Sequence, residues 1–350
     1  MNHERNYGVD LLRLVLMYMV CMLHTLGQGG ILTACREGTG AYNVFWFMET
    51  MSFCAVDAFA IITGYMAVDK PQKYEKLTNM WFQAFFYSFV LTLLFTIAGV
   101  NQTWERTDML ACALPVSHGK FWYFTSYFVL FFAIPILKKY LFTVDEHTAK
   151  IALIILFVLF SCIETLLRPF YTYSGYSPIW LIVLYCLGAL AKRAKVFEQK
   201  KTLTLVLIWA VCIFASWGLY ALLGSMMLID YVSPTIVLSG FIMVVLFSRL
   251  KLKGTMISKL SPLALGIYFF QQNQVIWNDF LLNAFSFAAQ EKLIVGALYA
   301  FAFAALIFVS GMIVEFIRSK LAKALKIPAL SRAIVNAAGA VLNKAAALLK

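Results

Sequence analysis

The stretch YGVDLLRLVLMYMVCMLHTLGQGG, residues 7–30, is apolar enough to cross a lipid bilayer, yet it contains Asp10, Arg13 and His24. Hydrocarbon penalises an Asp or Arg at the centre of a membrane helix by roughly 2.5 to 3.5 kcal/mol. Ionisable residues inside a membrane therefore indicate a functional site or an ion pair between helices. This stretch predicts a transmembrane helix that carries a polar site.

Apolar runs of similar length recur along the whole chain. Hydrophobic residues make up 62% of the sequence, and charged residues only 13%, whereas a soluble domain has about 25% charged residues. Runs long enough to span a membrane lie near residues 9–28, 44–67, 78–99, 120–140, 150–167, 178–193, 202–223, 232–250, 260–282 and 291–318. We predict an all-α, polytopic integral membrane protein with about ten transmembrane helices, and a transmembrane domain over residues 1–326.

The distribution of basic residues predicts the orientation in the membrane. If the N-terminus is cytoplasmic, the loops on the cytoplasmic side contain most of the 29 Lys and Arg residues, as the positive-inside rule requires. We therefore expect both termini to be cytoplasmic in a multi-pass protein of a cell membrane, taken to be a bacterial plasma membrane. The net charge of +12 then reflects topology and contact with lipid, so we expect no nucleic-acid partner.

The C-terminal tail has a different pattern from the spans. In ALSRAIVNAAGAVLNKAAALLK, residues 329–350, apolar residues recur at helical spacing between Arg, Asn and Lys. We predict that residues 327–350 form a cytoplasmic amphipathic helix on the inner leaflet; a disordered tail is the alternative. The seven cysteines are scattered without metal-ligand spacing, so we expect no metal site.

The charged residues of the first two helices predict two polar layers at different depths. Arg13 and His24 are eleven residues apart, which is about three helical turns plus 20°, so they share a face and lie roughly 16 Å apart along the axis. The second helix runs the opposite way, which brings Glu49 near the level of His24 and Asp57 near that of Arg13. We expect an outer layer of His24 and Glu49 and an inner layer of Asp10, Arg13 and Asp57. Simple neutralisation of Arg13 is the alternative for the two aspartates.

These layers suit transfer of a group across the membrane. An Arg near the cytoplasm fits a phosphate-bearing donor, and a buried neutral His can accept the proton of an acceptor hydroxyl. A proton-coupled transporter or exporter of a glycan or small metabolite would place His, Asp and Glu at the same depths. The residues alone leave both functions open.

Four ordered motifs resemble those of the membrane acyltransferase-3 family, whose members O-acylate surface polysaccharides and related glycans. They are GVDLLR followed by His24, AVDAFAIITGY at 55–65, LPVSHGKFWYFTSYFVLFFAIPIL at 114–137 and SPLALGIYFFQQNQ at 261–274. The resemblance covers residues 7 to about 318, and is greatest to the short, single-domain enzymes of Gram-positive bacteria. It implies an O-acyltransferase, in particular an O-acetyltransferase, that modifies a surface polysaccharide.

The resemblance also implies roles for the polar layers. The donor is acetyl-CoA or another short acyl-CoA from the cytoplasm, with Arg13 as donor-binding residue and His24 as catalytic residue. We add Asp10 and Asp57 to the donor layer. Our hypothesis for Glu49 is that it orients the imidazole of His24.

Two departures from the family pattern affect the predicted site. The first inner loop, DKPQKYEKL, has Lys73 and Lys76 where the family often has an Arg-x-x-Arg pair, so lysines would contact the CoA phosphates. The ninth-helix motif has Gln271 where His is common. Because Gln is not a base, a catalytically inactive partner in a glycan-assembly complex is a third alternative.

Five residues are candidates for binding the acceptor. They are Trp122, Tyr123, Gln271, Asn273 and His118. The structural alternatives are an interfacial anchor for Trp122, hydrogen bonds across helices for the amides of Gln271 and Asn273, and a solvated loop residue for His118. The sequence does not identify the acceptor or the oligomeric state.

Overall fold

The computed structural model describes residues 5–67, 72–100 and 106–348, and the regular structure in these ranges is entirely helical. Residues 69–71 of the basic loop and 349–350 of the tail lie outside the described residues. The principal helices, in chain order, are α1 Tyr7–Leu26, α2 Gly40–Tyr65, α3 Tyr74–Ile97, α4 Trp122–Leu141, α5 Glu146–Leu167, α6 Pro178–Arg193, α7 Thr202–Leu223, α8 Pro234–Ser248, α9 Ala264–Gln271, α10 Leu293–Ala324 and α11 Ile327–Leu348.

Seven helical segments in the described ranges are long and apolar enough to cross a membrane: α1 with a short extension to Ala34, α2, α3, α4, α5, α7 and α10. The spans predicted near residues 178–193, 232–250 and 260–282 contain α6, α8 and α9, which have 16, 15 and 8 residues. A full crossing needs about 20 residues. The chain is therefore a multi-pass membrane protein, and the number of ten spans stays a prediction.

Helix α2 lies at the centre of the bundle and packs against α1, α6 and α8. Two glycines bring α2 and α6 together: a Cβ added at Gly64 would lie 2.0 Å from the carbonyl oxygen of Tyr185, and one at Gly188 would lie 2.3 Å from that of Ile61. Small residues allow this close backbone approach between membrane helices. The contact fixes the helix that carries Glu49 and Asp57.

The start of α1 is fixed by hydrogen bonds. Asn6 caps the helix, since its Oδ1 accepts the backbone N–H of Val9 at 3.0 Å. The Asn6 amide also donates to the carbonyl of Ser248 at 2.8 Å, and Arg5 Nη2 donates to the carbonyl of Ser258 at 2.9 Å. These bonds join the start of α1 to the end of α8 and to the segment that precedes α9.

The tail forms helix α11, which packs against α3. Ser331 is buried at this contact, and its hydroxyl lies 2.9 Å from Asn79 Oδ1. The apolar side chains of Leu330, Ile334 and Val341 remain exposed. A helix with one packed face and exposed apolar side chains supports the predicted position on a leaflet, which stays a prediction.

We expect Gly188→Ala to destabilise the protein, because the added methyl group would clash with the backbone of α2. Overpacking of this kind lowers the free energy of unfolding by about 1 to 3 kcal/mol. The measurement is unfolding of the detergent-solubilised protein by heat and by denaturing detergent. Gly218→Ala in α7 is the control, since a Cβ there meets nothing within 4 Å. Equal stability of the two variants would contradict the close α2–α6 contact.

Candidate active site

Helices α1 and α9 lie side by side and run in the same direction. At one end, the hydroxyl of Ser261, just before α9, donates to Asp10 Oδ1 at 3.2 Å. At the other end, the side chain of Gln272, just after α9, contacts the imidazole of His24. Each of these two contacts joins one predicted polar layer of α1 to the α9 segment.

The inner layer is built around the buried carboxylate of Asp10. Arg13 Nη1 donates to Asp10 Oδ1 at 2.7 Å, and Arg5 Nε donates to Asp10 Oδ2. Two guanidinium groups therefore share one carboxylate, which leaves this cluster with net positive charge. The side chain of Arg13 is 35% exposed. Asp10 thus forms an ion pair with Arg13, as expected if its role is to neutralise the charge of that guanidinium.

A cavity of about 250 Å³ opens beside Arg13. On α1 it is lined by Arg13, Met17 and Val20, and the other side chains around it are Val56, Phe59, Ile62, Thr63, Met80, Trp122, Tyr123, Phe124, Tyr127, Ser261, Pro262, Ala264, Leu265 and Tyr268. Residues 13, 17, 20 and 24 fall on one face of a helix because they are spaced by four and three residues. The cavity therefore follows the face of α1 that leads from Arg13 towards His24.

The outer layer centres on His24. Its Nε2 lies 3.2 Å from Nε2 of Gln272; because an amide nitrogen only donates, the imidazole nitrogen accepts in this contact. The ring of Trp277 packs edge-on against the imidazole, with 4.8 Å between ring centroids. His24 Nδ1 and Gln271 Oε1 are buried and hydrogen-bond to no group in the described part of the chain. The imidazole is therefore held by Gln272 at Nε2 and also interacts with the side chain of Gln271.

The polar run after α9 positions these groups by breaking the helix. Asn273 Nδ2 donates to the carbonyl of Tyr87 at 2.6 Å and to Thr92 Oγ1 at 2.8 Å. Its Oδ1 accepts the backbone N–H groups of Val275 and Ile276. Asn273 is therefore fully bonded within the protein, and the structural alternative describes it better than acceptor binding does.

A π-helical segment, Ile276–Leu281, follows the break and carries Trp277. The carbonyl of Trp277 accepts the Gln28 amide at 3.0 Å. Insertions of this kind within helices are common at functional sites. In this chain the segment returns towards α1 and places the indole ring against His24.

The acidic residues of α2 lie elsewhere than the two-layer prediction expected. Asp57 Oδ1 accepts the indole N–H of Trp180 at 3.1 Å, so Asp57 is joined to α6 and not to Arg13. Glu49 is buried, its Oε2 has no hydrogen-bond partner among the described residues, and its carboxylate interacts electrostatically with Tyr176 and Tyr231. The imidazole partner is Gln272, so the orienting contact expected from Glu49 is absent here.

A family model described as an acyltransferase domain matches residues 6–334. The chain belongs to the acyltransferase-3 family. Searches of curated proteins and of solved structures gave no match. The resemblance found in the four motifs is confirmed, and the protein is a membrane acyltransferase, which answers the alternatives of a transporter and of an inactive partner.

The remaining predicted residues of this acyltransferase fall into two groups. Trp122 and Tyr123 line the cavity, and the backbone N–H of Tyr123 donates to the hydroxyl of Tyr268 at 3.2 Å. Lys73 and Lys76 at the start of α3, and His118 in the loop before α4, are exposed and do not line the cavity. The exposed position of His118 fits its structural alternative, a solvated loop residue.

Sequence reasoning missed three contacts of the site. Gln272, Ser261 and Trp277 all contact the polar residues of α1. For Gln272, the polar run QQNQ within an apolar segment was the one indication in the sequence. For Ser261 and Trp277 the sequence gave no indication, because each lies about 250 residues from its partner on α1. The described residues contain no group of three His, Cys, Asp or Glu side chains that could hold a metal ion.

We expect Asn273→Ala to destabilise the acyltransferase, because it removes two donor contacts and leaves the N–H groups of Val275 and Ile276 unpaired. Each buried unpaired group costs about 1 to 3 kcal/mol. Thermal unfolding in detergent measures the loss. Gln274→Ala is the matched control, since it removes one hydrogen bond to Lys120. A stable Asn273→Ala protein with weakened acceptor binding would contradict the structural role.

Proposed function

We propose that this membrane acyltransferase moves an acetyl or other short acyl group from cytoplasmic acyl-CoA to a hydroxyl of a cell-surface glycan or related extracytoplasmic acceptor. The observation that supports it best is the cavity that begins at Arg13 and follows the face of α1 towards His24. A donor with a phosphate-bearing end and a long thin arm fits such a path. The proposed location is a bacterial plasma membrane, with the bilayer as its surroundings and both termini cytoplasmic.

The donor end of the path is electropositive. Arg5 and Arg13 share the single carboxylate of Asp10, so a phosphate group near Arg13 would meet net positive charge. Met80 of α3 lines the cavity, Lys76 precedes it by about one helical turn on the same face, and Lys73 lies just before the first residue of α3. We therefore assign Arg13 to the donor phosphates inside the cavity and the two lysines to phosphates at its entrance.

The acyl-transfer step uses the imidazole of His24. The imidazole accepts the proton of the acceptor hydroxyl while the hydroxyl oxygen attacks the thioester carbonyl carbon. The C–S bond then breaks, and the CoA thiolate leaves with the proton from the imidazolium. An acyl-His intermediate is the alternative: the imidazole nitrogen attacks the thioester carbonyl carbon and the C–S bond breaks, and the acceptor hydroxyl then attacks the acyl group and the C–N bond breaks.

Gln272 is the group that we propose to orient the imidazole, in the role first assigned to Glu49. In the structure the Gln272 amide nitrogen donates to His24 Nε2. If the amide flips, its oxygen accepts from Nε2–H instead, and Nδ1 becomes the basic nitrogen that general-base catalysis requires. Gln271 lies beside this pair, where its Nε2 contacts Met17 Sδ at 3.7 Å and its side chain also interacts with His24.

We expect His24→Ala to abolish acyl transfer while the protein still binds CoA, because the general base is removed and the donor site is not. Loss of a general base lowers the rate by about 10² to 10⁴-fold. The measurement is transfer of labelled acetyl from acetyl-CoA by the purified protein to isolated surface glycan. His147→Ala, an exposed histidine at the start of α5, is the control. Wild-type rates in His24→Ala would exclude the proposed role.

We expect Arg13→Ala to lose stabilisation by CoA, because the charged hydrogen bond to the donor phosphates is removed. A hydrogen bond to a charged group contributes about 1.5 to 3 kcal/mol, so CoA should bind roughly 10 to 100-fold more weakly. The measurement is the CoA concentration that gives a half-maximal rise in unfolding temperature. Arg332→Ala in α11 loses the same charge at an exposed position. Unchanged CoA affinity in Arg13→Ala would contradict the donor path.

A further inference from the structure

The segment between α5 and α6, RPFYTYSGYS at 168–177, presents three tyrosines to the surroundings. Tyr171 is 76% exposed, Tyr173 is 72% exposed and Tyr176 is 51% exposed. Burial would normally remove rings of this size from water. We call this segment with its three tyrosines the tyrosine loop.

The tyrosine loop is held from inside by the buried carboxylate of Glu164. Glu164 accepts the backbone N–H groups of Phe170 at 2.8 Å and Thr172 at 3.1 Å, and also the Thr172 hydroxyl at 2.5 Å. Arg168 is not bound to Glu164: its guanidinium donates to Asp230 at 3.0 Å and to Ser174 at 2.8 Å. These hydrogen bonds hold the backbone of the tyrosine loop in a defined conformation.

The backbone of the loop is forced into rare conformations. Tyr171, Tyr173 and Ser174 have φ values of 53°, 51° and 56°, in the left-handed region that residues other than glycine seldom adopt. Gly175 follows with φ 93°, and a Cβ there would lie 2.4 Å from Cβ of Tyr231. These conformations turn the rings outward and hold the end of the loop against Tyr231.

The aromatic surface continues from the loop to the cavity. The ring of Tyr176 lies 4.5 Å from that of Trp122 and 5.2 Å from that of Tyr231, measured between centroids. Trp122 also lines the cavity that begins at Arg13. The rings of Tyr176, Tyr231 and Trp122 therefore connect the end of the tyrosine loop to the proposed donor cavity.

Glu49 supplies an independent sign of a ligand at this path. It is only 8% exposed, and its Oε2 has no hydrogen-bond partner among the described residues. Its carboxylate interacts electrostatically with Tyr176 and Tyr231, which belong to the path. A buried carboxylate oxygen without a donor is costly unless a ligand or water supplies one.

We propose that the tyrosine loop and Trp122 form the acceptor platform, on which a sugar ring of the acceptor packs, and that Glu49 accepts a hydrogen bond from one of its hydroxyls. The C–H face of a pyranose packs on aromatic rings, and its hydroxyls need polar partners such as a carboxylate. This proposal rests on the proposed function, because it names where that acceptor binds. Anchoring of the tyrosines at the membrane interface is the competing role. It does not account for the buried Glu49 oxygen that lacks a hydrogen-bond partner among the described residues.

The test compares acceptor binding and donor binding in the same proteins. The acceptor probe is the surface glycan isolated from cells that lack the gene and then de-O-acylated, titrated against labelled acetyl-CoA. We expect Tyr176→Ala, Glu49→Gln and the double variant Tyr171→Ala/Tyr173→Ala to raise the KM for glycan at least tenfold. The rise in unfolding temperature with CoA should be unchanged, and Tyr176→Phe should restore most of the glycan KM because it keeps the ring.

The control is Tyr299→Ala, which removes an exposed tyrosine from α10. A glycan KM that stays at the wild-type value in all three loop and Glu49 variants overturns the platform, as does a loss of folded protein without a change in KM, which is the result expected from a membrane anchor. If the wild-type protein transfers no acetyl to the glycan, the proposed function itself fails. The two failures are therefore distinguishable.

Discussion

A cation placed inside a bilayer needs a partner, and the buried carboxylate of Asp10 is the partner on which this site depends. It binds Arg13 on its own helix, Arg5 before the helix and Ser261 before α9. One carboxylate thereby contacts the guanidinium of Arg13, the start of α1 and the segment before the neighbouring helix α9. Because it cannot neutralise two guanidinium groups, it also leaves net positive charge, which suits the phosphate-bearing donor that we propose.

The second anchor between the same helices is the contact of His24 with Gln272. Together the two contacts join α1 to the α9 segment near Asp10 and again near His24. The segment after α9 is irregular, with a break at Asn273 and a π-helical stretch around Trp277. Irregular backbone within a membrane protein is tolerated where it is buried or lines a cavity, and here it supports the imidazole.

Much of the helical framework could be predicted from the sequence, because a long apolar run has few alternatives to a membrane helix. The shared face of Arg13 and His24 followed from spacing alone. The partner of Asp57 did not: Trp180 is 123 residues away, and depth matching cannot distinguish one neighbouring helix from another. Likewise the polar character of Asn273 was visible, but its saturation by Tyr87 and Thr92 depends on a π-helical stretch of α3 that periodicity does not indicate.

The two contacts between α1 and the α9 segment also limit how the length of the chain can vary. An insertion of one residue between Arg13 and His24 would rotate the imidazole by about 100° and move it by about 1.5 Å along the axis. His24 would then leave Gln272 while Asp10 still held Ser261. The side chains between Arg13 and His24 can be replaced by others, since those that line the cavity there are Met17 and Val20. Adding or removing a residue in this stretch would instead change the position of His24 relative to Arg13.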